Sequence, residues 1–209
     1  MTPLTELAHT LVRAVLQPGD IAIDATAGNG HDTLFLAECV GPTGTVYSFD
    51  IQLAALAVTS MRLAAANLSN VILLQRSHAQ MRSALPNVRP GKVAAVMLNL
   101  GYLPGGDKRL TTQTASTITA IRDGLTLIAP GGIMTIVVYP GHRGGANEAT
   151  AVERLLNELP PASFEVHEPS PTTDHNAAPR LFVVRKQATH PARPSTNDAA
   201  GVDGRPAST

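Results

Sequence analysis

A glycine-containing segment near the start of the chain carries two carboxylates between two apolar runs. The segment "IDATAGNGHDTLFLA", Ile23–Ala37, places Asp24 and Asp32 on either side of Gly28 and Gly30. Glycines let backbone N–H groups approach a ligand closely, and a helix that starts here presents the positive end of its dipole. A pyrophosphate fits poorly, because the third glycine of G-x-G-x-x-G is missing and two carboxylates are near. The carboxylates favour a ligand with positive charge, such as the sulfonium and ammonium of S-adenosylmethionine.

A third acidic residue, Asp50, follows the next apolar run, twenty residues after Gly30. Its carboxylate is placed to accept hydrogen bonds from both hydroxyls of a ribose, which is expected for NAD and for S-adenosylmethionine alike. The pattern D-x-x-x-G-x-G followed by this acid favours the methyl donor, and a nicotinamide-dependent oxidoreductase is the more distant alternative. Asp24 can also cap the amides of its own loop, a role that is compatible with cofactor binding.

A second loop, "NLGYLPGGDK", Asn99–Lys108, follows a later apolar run. Asn99 and Tyr102 have the spacing of the [D/N]-P-P-[Y/F] loop used by enzymes that methylate amino nitrogens. A carboxamide oxygen can accept hydrogen bonds from an amine, and an aromatic ring can pack against the base that bears it. The alternative is a plain turn, although a turn can also be the scaffold of a substrate site; its residues are Gly101, Pro104, Gly105 and Gly106.

A third polar segment, "YPGHRGG", Tyr139–Gly145, follows the next apolar run. A single histidine is more often structural or solvated than functional. His142 lies among glycines at the carboxyl end of a predicted strand, so an acceptor-binding or proton-handling role is an equal alternative.

These three loops need a scaffold that brings strand ends together. Short apolar strands alternate with helix-length segments, which is typical of a parallel sheet covered on both faces. The predicted strands are "IAIDA", "TVYSFD", "VILLQ", "VAAVMLNL", "GIMTIVVY", "SFEVHE" and "RLFVVRK". The last two are joined by a loop too short for a helix, so the final strand should run antiparallel. The sequence therefore predicts an α/β, Rossmann-like fold with a seven-stranded, mostly parallel sheet and helices on both faces.

The 209 residues suit a single domain, which we expect to span residues 1–186. Residues 187–209 are rich in Pro, Ala, Ser and Thr without periodicity, and they predict a disordered tail. No apolar run approaches the roughly 20 residues that cross a bilayer, and Glu6, His9 and Arg13 interrupt the N-terminal segment where a signal peptide is apolar. A cytoplasmic protein without membrane contact is expected.

Charge and cysteine content exclude other classes. The 16 Lys and Arg balance 16 Asp and Glu, so a protein that coats DNA is disfavoured, because non-specific DNA binding needs many basic contacts. A local basic patch can still hold a short piece of nucleic acid. Cys39 is the single cysteine, so we expect no internal disulfide and no metal site, and it fits a small core position on a helix.

The chain also resembles a known family. The segments "DATAGNGHDT", "FDIQ", "SHAQM", "NLGYLPGGDK", "TASTITAI" and "YPGHRGGANE" occur in the order found in bacterial class I methyltransferases labelled rRNA methylases. This family includes tRNA 5-(aminomethyl)-2-thiouridine methyltransferases. The similarity covers about residues 4–186. It implies methyl transfer from S-adenosylmethionine to the aminomethyl nitrogen of the wobble uridine of tRNA.

The resemblance and the chemistry of the loops together suggest roles for individual residues. The cofactor is expected to contact Asp24, Thr26, Gly28, Asn29, Gly30, Asp32, Asp50, Gln52, Ser77 and His78. The catalytic set is expected to be Asn99, Tyr102, Asp107, Lys108 and His142, with Lys108 lowering the pKa of the amine and His142 or Asp107 accepting its proton. The acceptor is expected to contact Gly101, Pro104, Gly105 and Tyr139. The implied partner is the anticodon loop of tRNA, and a homodimer stays open.

One segment departs from the family pattern. Members commonly carry an N-x-P-P-like stretch before the final strand, whereas this chain reads "NAAPR", residues 176–180. If that stretch touches the anticodon, substrate preference could differ. Methylation of rRNA or of a small-molecule amine, and a nucleoside-binding module without turnover, are therefore kept as alternatives.

Overall fold

The computed structural model describes residues 4–107, 109–169 and 178–188. Its helices are α1 (Leu4–Arg13), α2 (His31–Val40), α3 (Leu53–Ala65), α4 (Met81–Ala84), α5 (Thr114–Leu127) and α6 (Gly145–Asn157), with a 3-10 turn at His78–Gln80. Its strands are β1 (Ile21–Asp24), β2 (Thr45–Asp50), β3 (Val71–Gln75), β4 (Val93–Asn99), β5 (Ile128–Val138), β6 (Phe164–His167) and β7 (Arg180–Lys186).

The strands form one sheet in the order β3-β2-β1-β4-β5-β7-β6. Strands β1 to β5 pair in parallel, and β7 is antiparallel to both of its neighbours. The predicted seven-stranded, mostly parallel sheet with an antiparallel last strand is confirmed. The position of the last strand within the sheet was not predicted. Helix α6 leads from β5 to the outer strand β6, and β7 then lies between β5 and β6.

Two apolar layers cover the sheet. Helices α1, α2 and α3 pack on one face, through residues such as Val12, Phe35 and Leu63. Helices α4, α5 and α6 pack on the other face, where Ile121 and Val152 are fully buried. Neighbouring strand residues alternate between the layers, as the period of two in a strand requires. In the described part of the chain, no helix has the length and apolar content to cross a membrane.

Local contacts set where several elements begin. Helix α5 begins at Thr114, after Thr112, which is hydrogen-bonded to Gly101 in the preceding loop. Helix α6 begins at Gly145, since Gly144 has a positive φ of 85° and turns the chain directly into the helix. Strand β5 begins at Ile128, earlier than the predicted segment "GIMTIVVY", with a register shift opposite β4. Of the predicted tail, only residues 187 and 188 lie within the described residues.

The sheet order changes direction between β1 and β4. The chain leaves β1 towards α2 on one face and leaves β4 towards α5 on the opposite face. Their carboxyl ends therefore border a crevice, which is where ligands bind in open α/β sheets. The first and second loops identified from the sequence both lie at this crevice.

A buried carboxylate fixes the first of these loops. Asp24, at the end of β1, is fully buried and accepts hydrogen bonds from the Thr26 N–H (3.0 Å) and the Thr33 hydroxyl (2.5 Å). The Thr33 hydroxyl is in turn 2.7 Å from that of Ser48 in β2. Burial, reinforced by the nearby Asp32 carboxylate, raises the pKa of Asp24 to about 7. Asp24 therefore joins β1, β2 and α2 beneath the loop.

A buried arginine fixes the closing strand. Arg180 begins β7 with its side chain only 3% exposed, and it forms paired hydrogen bonds with Glu153 of α6 and with Glu168 after β6. Each bond is 2.9 to 3.0 Å long. Fork-shaped arginine–carboxylate contacts of this kind hold orientation as well as charge. The clamp ties the inserted strand to α6.

Asp24→Asn should flatten the dependence of folding stability on pH. A carboxyl group whose folded pKa of about 7 exceeds its ordinary 3.8 stabilises the fold at low pH, and this contribution is lost as pH rises through the folded pKa. Urea unfolding should be measured between the ordinary pKa of 3.8 and the folded pKa of about 7. Over this pH range the free energy of unfolding should fall less for the variant than for the wild type. Glu38→Gln, on the exposed side of α2, is the control. Equal slopes in Asp24→Asn and wild type would contradict the assignment.

Arg180→Met should lower the free energy of unfolding by roughly 3 kcal/mol, because it removes the buried cation between two carboxylates. Arg154→Met is the matched control, since Arg154 pairs with Glu158 on the exposed face of α6 and should cost less than about 1 kcal/mol. Denaturant titrations measure both values. Similar losses in the two variants would show that the Arg180 clamp contributes no more than a surface pair.

Candidate functional site

A cavity of about 1110 Å³ opens at the carboxyl ends of β1, β2, β4 and β5. It is lined by the first and second loops identified from the sequence and by the start of the third. Of the predicted site residues, the following lie on its wall: Thr26, Gly28, Asn29, Asp32, Asp50, Gln52, Ser77, His78, Asn99, Gly101, Tyr102, Pro104, Gly105, Tyr139 and His142. The structure therefore brings the predicted cofactor and acceptor residues into one space.

Asp50 is held by backbone donors at the end of β2. One carboxylate oxygen accepts the Gly28 N–H (2.9 Å) and the other accepts the Gln52 N–H (2.8 Å). A carboxylate can accept about four hydrogen bonds, so both oxygens keep capacity for a pair of vicinal hydroxyls. Ile51, 57% exposed, follows on the same wall and offers an apolar surface beside this acceptor pair. The arrangement suits the ribose and base of a nucleoside.

The two glycines of the first loop have different roles. Gly28 lines the cavity with a φ of 51°, and a Cβ there would lie 3.7 Å from Leu103 Cδ1 in the second loop. Gly30 does not line the cavity. Its φ is 79°, and a Cβ there would lie 2.9 Å from Thr59 Cα. Gly30 is therefore required for packing of the loop against α3, and its expected contact with the cofactor stays a prediction.

The expected cofactor contact of Asp24 also stays a prediction. Asp24 lies beneath the loop and not on the cavity wall, because its carboxylate is used by Thr26 and Thr33. The capping role considered from the sequence is the one the structure shows. The carboxylates that do line the cavity are Glu6, Asp32 and Asp50, against one guanidinium, Arg76, among the described wall residues. With histidines neutral the wall is acidic, which suits a cationic ligand.

Asp32 has a partner that the sequence did not indicate. Its carboxylate lies 2.6 Å from His9 Nε2, and the His9 ring stacks on Phe35 with centroids 3.9 Å apart. Helix α1 thereby supplies one side of the cavity through Thr5, Glu6 and His9. No local motif marks these residues, since His9 and Asp32 are 23 positions apart.

Ser77 and His78 approach the cavity from the 3-10 turn after β3. The Ser77 hydroxyl accepts the Ala79 N–H at 3.2 Å and so caps the turn. His78 Nε2 lies 3.2 Å from the Ser116 hydroxyl of α5, and burial lowers the pKa of His78. A neutral imidazole at this position can exchange hydrogen bonds with a base without adding charge.

The second loop is fastened at its base. The Asn99 N–H donates to Thr26 Oγ1 at 2.8 Å, which joins this loop to the first one. Gly101 and Thr112 bond to each other twice, from the Gly101 N–H to Thr112 Oγ1 (2.9 Å) and from the Thr112 N–H to the Gly101 oxygen (2.8 Å). Tyr102 forms an isolated β-bridge with Thr111. The Asn99 carboxamide is therefore presented on a closed and anchored loop.

His142 and Tyr139 complete the wall beside this loop. His142 Nδ1 lies 3.1 Å from the Arg143 carbonyl oxygen, which can only accept, so Nδ1 is the donor in this contact. Nε2 is buried and has no hydrogen-bond partner among the described residues. Tyr102 approaches the His142 ring edge-on at 6.2 Å. Burial and the Asp32 carboxylate raise the pKa of Tyr139, so its hydroxyl acts as a donor at neutral pH.

Two predicted catalytic residues are not placed on this wall. Asp107 is paired with Arg109, whose Nη2 lies 2.7 Å from the carboxylate, and the pair is exposed. The Arg109 guanidinium lowers the pKa of Asp107, which makes it a weak base. The expectation that Asp107 accepts a proton stays a prediction, which this pairing with Arg109 does not favour. Lys108 lies outside the described residues. No group of three or more potential metal ligands occurs among those described.

Comparisons with known proteins agree with this geometry. The chain is 40% identical over 165 residues to a protein of Arabidopsis thaliana named tRNA (mnm(5)s(2)U34)-methyltransferase, chloroplastic, a match that covers 75% of this chain. The chain spans 60% of the length of that relative.

Two solved structures have the same fold. A protein from Clostridium thermocellum described as a "putative rRNA-methylase" is 36% identical with a TM-score of 0.83, covering 89% of this chain and 98% of its own. A protein from Streptococcus mutans described as "a putative methyltransferase", solved in complex with SAH, is 36% identical with a TM-score of 0.78, covering 89% of this chain and 99% of its own. The family model described as "Putative rRNA methylase" matches residues 46–185. Since this match spans well over half of the chain, the protein belongs to that rRNA methylase family.

Proposed function

We propose that this protein is an S-adenosylmethionine-dependent N-methyltransferase that acts on tRNA. Its acceptor is the aminomethyl nitrogen of 5-aminomethyl-2-thiouridine at the wobble position, and its product is 5-methylaminomethyl-2-thiouridine. The observation that carries the proposal is the bond between Asn99 N–H and Thr26 Oγ1, which joins a nucleoside-binding loop to an amine-binding loop in one cavity. The named activity of the Arabidopsis relative and the SAH bound to the Streptococcus protein support it.

The residues present fit the methyl donor. The Asp50 carboxylate is oriented by two backbone donors and keeps acceptor capacity for the two ribose hydroxyls. The acidic wall formed with Asp32 suits the positive charges of the donor better than it suits a pyrophosphate. A drug-sized ligand occupies a pocket of about 300–1,000 Å³, so a cavity of about 1110 Å³ has room for the donor and an inserted nucleoside.

The proposed reaction needs positioning more than covalent assistance. When bound, the donor would supply a methyl group on sulfur; the amine lone pair forms the new N–C bond as the C–S bond breaks and its electron pair returns to sulfur. Alignment of such reactants can supply on the order of 7 to 11 kcal/mol. The Asn99 side-chain oxygen accepts a hydrogen bond from the amine and orients its lone pair. Tyr102, 38% exposed, packs against the base.

The amine must lose a proton, because an alkylamine is largely protonated near neutral pH. Of the two groups expected from the sequence to accept it, only His142 lies on the cavity wall. Its Nε2 is not used by any other described residue, so we assign it as the group that receives the proton. Tyr139 stays protonated and donates a hydrogen bond.

The purified protein should methylate tRNA whose wobble uridine carries the aminomethyl and thio groups. With S-adenosylmethionine, mass spectrometry of the digested tRNA should show one added methyl group on that nucleoside. The same tRNA with an unmodified wobble uridine is the matched control and should gain none, because it lacks the amine. Product on rRNA or on a free alkylamine instead would reassign the acceptor. Binding of SAH without transfer to any acceptor would indicate a nucleoside-binding module.

Asp50→Ala and Asn99→Ala should separate cofactor binding from turnover. Loss of Asp50 should weaken SAH binding by about tenfold to a hundredfold, since hydrogen bonds to a charged group contribute roughly 1.5 to 3 kcal/mol. Loss of the Asn99 side chain should lower kcat by about a hundredfold through misplacement of the amine, with SAH binding nearly unchanged because the Thr26 contact uses the backbone.

Calorimetry with SAH and single-turnover methylation measure the two effects. Asn157→Ala, on the exposed end of α6, is the control and should change neither. If Asn99→Ala abolishes SAH binding, the assignment of Asn99 to the acceptor is wrong.

A further inference from the structure

A buried carboxylate outside the cavity is connected to the second loop. Glu148, in the first turn of α6, is 2% exposed and does not line the cavity. Its two oxygens accept hydrogen bonds from two hydroxyls, Thr112 Oγ1 before α5 at 2.8 Å and Thr117 Oγ1 within α5 at 2.6 Å. Buried carboxylates need such partners, because an unpaired buried charge is costly. The position of Glu148 therefore determines where these two threonines lie.

Only one of the two threonines, Thr112, is also hydrogen-bonded to the second loop. Thr112 Oγ1 donates to Glu148 and also accepts the Gly101 N–H, while the Thr112 N–H returns a bond to the Gly101 oxygen. Gly101 lies between Asn99 and Tyr102, with a φ of 128°. Thr117, in the first turn of α5, shows no corresponding bond to residues 99–107 in the described structure. A chain of hydrogen bonds thus runs from Glu148 through Thr112 to the backbone beside Asn99.

Glu148, at the other end of this series of hydrogen bonds, is also held in place. Glu148 is placed by the start of α6, where its N–H donates to the Gly144 oxygen at 3.0 Å. A Cβ at Gly145 would clash with the Tyr139 oxygen and would lie 2.9 Å from His142 Nε2, so the helix start packs directly on the end of β5. The helix N-terminus favours the negative charge of Glu148. The carboxylate therefore has a defined location relative to the sheet.

We propose that Glu148 is a positioning residue for methyl transfer that acts through Thr112 to hold Gly101 in place. Fixing Gly101 also keeps the nearby Asn99 carboxamide in the position that the acceptor amine requires. This role rests on the proposed function. Glu148 does not touch the reacting groups. Its hydrogen bonds fix the loop that follows β4 relative to α6 and β5, so the two sides of the acceptor site keep a constant relative position.

Thr112→Val tests the connection with little change of volume. It removes the hydroxyl that joins Glu148 to Gly101, and we expect kcat to fall by at least about tenfold, since a displacement near 1 Å can cost a hundredfold. The SAH dissociation constant should not change, because the Asp50 contacts are on another loop. Thr112→Ser keeps the hydroxyl and should restore most of the wild-type kcat.

Thr117→Val is the matched control. It removes an equivalent hydroxyl from the same carboxylate, so it should lower thermal stability about as much as Thr112→Val, yet leave kcat near wild type. Equal losses of kcat in the two valine variants would overturn the proposal, because the effect would then be one of general stability. A wild-type kcat in Thr112→Val, or a matching loss of SAH binding, would also overturn it.

Glu148→Leu tests the carboxylate itself. It should lower kcat to the level of Thr112→Val, and the double variant should fall no further, because both changes break one chain of contacts. Additive losses would mean that Glu148 acts by another route. If Glu148→Leu does not fold, the Thr112 series still decides the question.

Amide hydrogen exchange separates this inference from the methylation reaction. The Gly101 amide is bonded to Thr112 Oγ1, so its exchange should accelerate in Thr112→Val and not in Thr117→Val. Unchanged Gly101 exchange in Thr112→Val would overturn the connection whatever the substrate. Faster Gly101 exchange in a protein that methylates no tRNA would leave the connection intact and overturn the proposed function.

Discussion

The parallel pairing of β1 with β4 is the contact on which the rest of the site depends. Asp24 at the end of β1 lies opposite Met97 of β4, and the Ala25 N–H continues the ladder to the Met97 oxygen. Beyond the end of β1, the Thr26 hydroxyl accepts a hydrogen bond from the N–H of Asn99, the last residue of β4, in place of a backbone oxygen. Two loops that are about seventy residues apart in the chain thus leave the sheet at a fixed spacing, because hydrogen-bonded strands lie about 4.8 Å apart.

Three acidic side chains hold the segments around these two strands in place by accepting hydrogen bonds. Asp24 collects donors under the first loop, Asp50 collects backbone donors at its edge, and Glu148 collects hydroxyls behind the second loop. A buried carboxylate is stable only with such partners, so each one fixes the groups around it. Asp50 also lies on the cavity wall, where its oxygens keep acceptor capacity for a ligand. The same residue type serves as scaffold in one place and as binding group in another.

The fold and the location of the site could be predicted from the sequence because both follow from local patterns. Alternating apolar strands and helices fix a doubly wound sheet, and polar loops at strand ends fix the crevice. The roles within the loops were less accessible. Asp24 and Gly30 belong to the glycine motif and yet pack inward, because Thr33, Ser48 and Thr59 come from other elements. Asp107 carries the right group in the right loop, but Arg109 two residues later holds it on the surface.

By itself, the sequence determined the α/β class, the two loops that meet at one crevice, and the family that their motifs resemble. These features depend on periodicity and on short spacings, which are written within single segments. Only the tertiary structure decided that β7 enters between β5 and β6, that His9 reaches Asp32, and that Glu148 holds Thr112 behind the second loop. Each of these contacts joins residues far apart in the chain, and their partners are set by how the helices pack on the sheet, which no local spacing encodes.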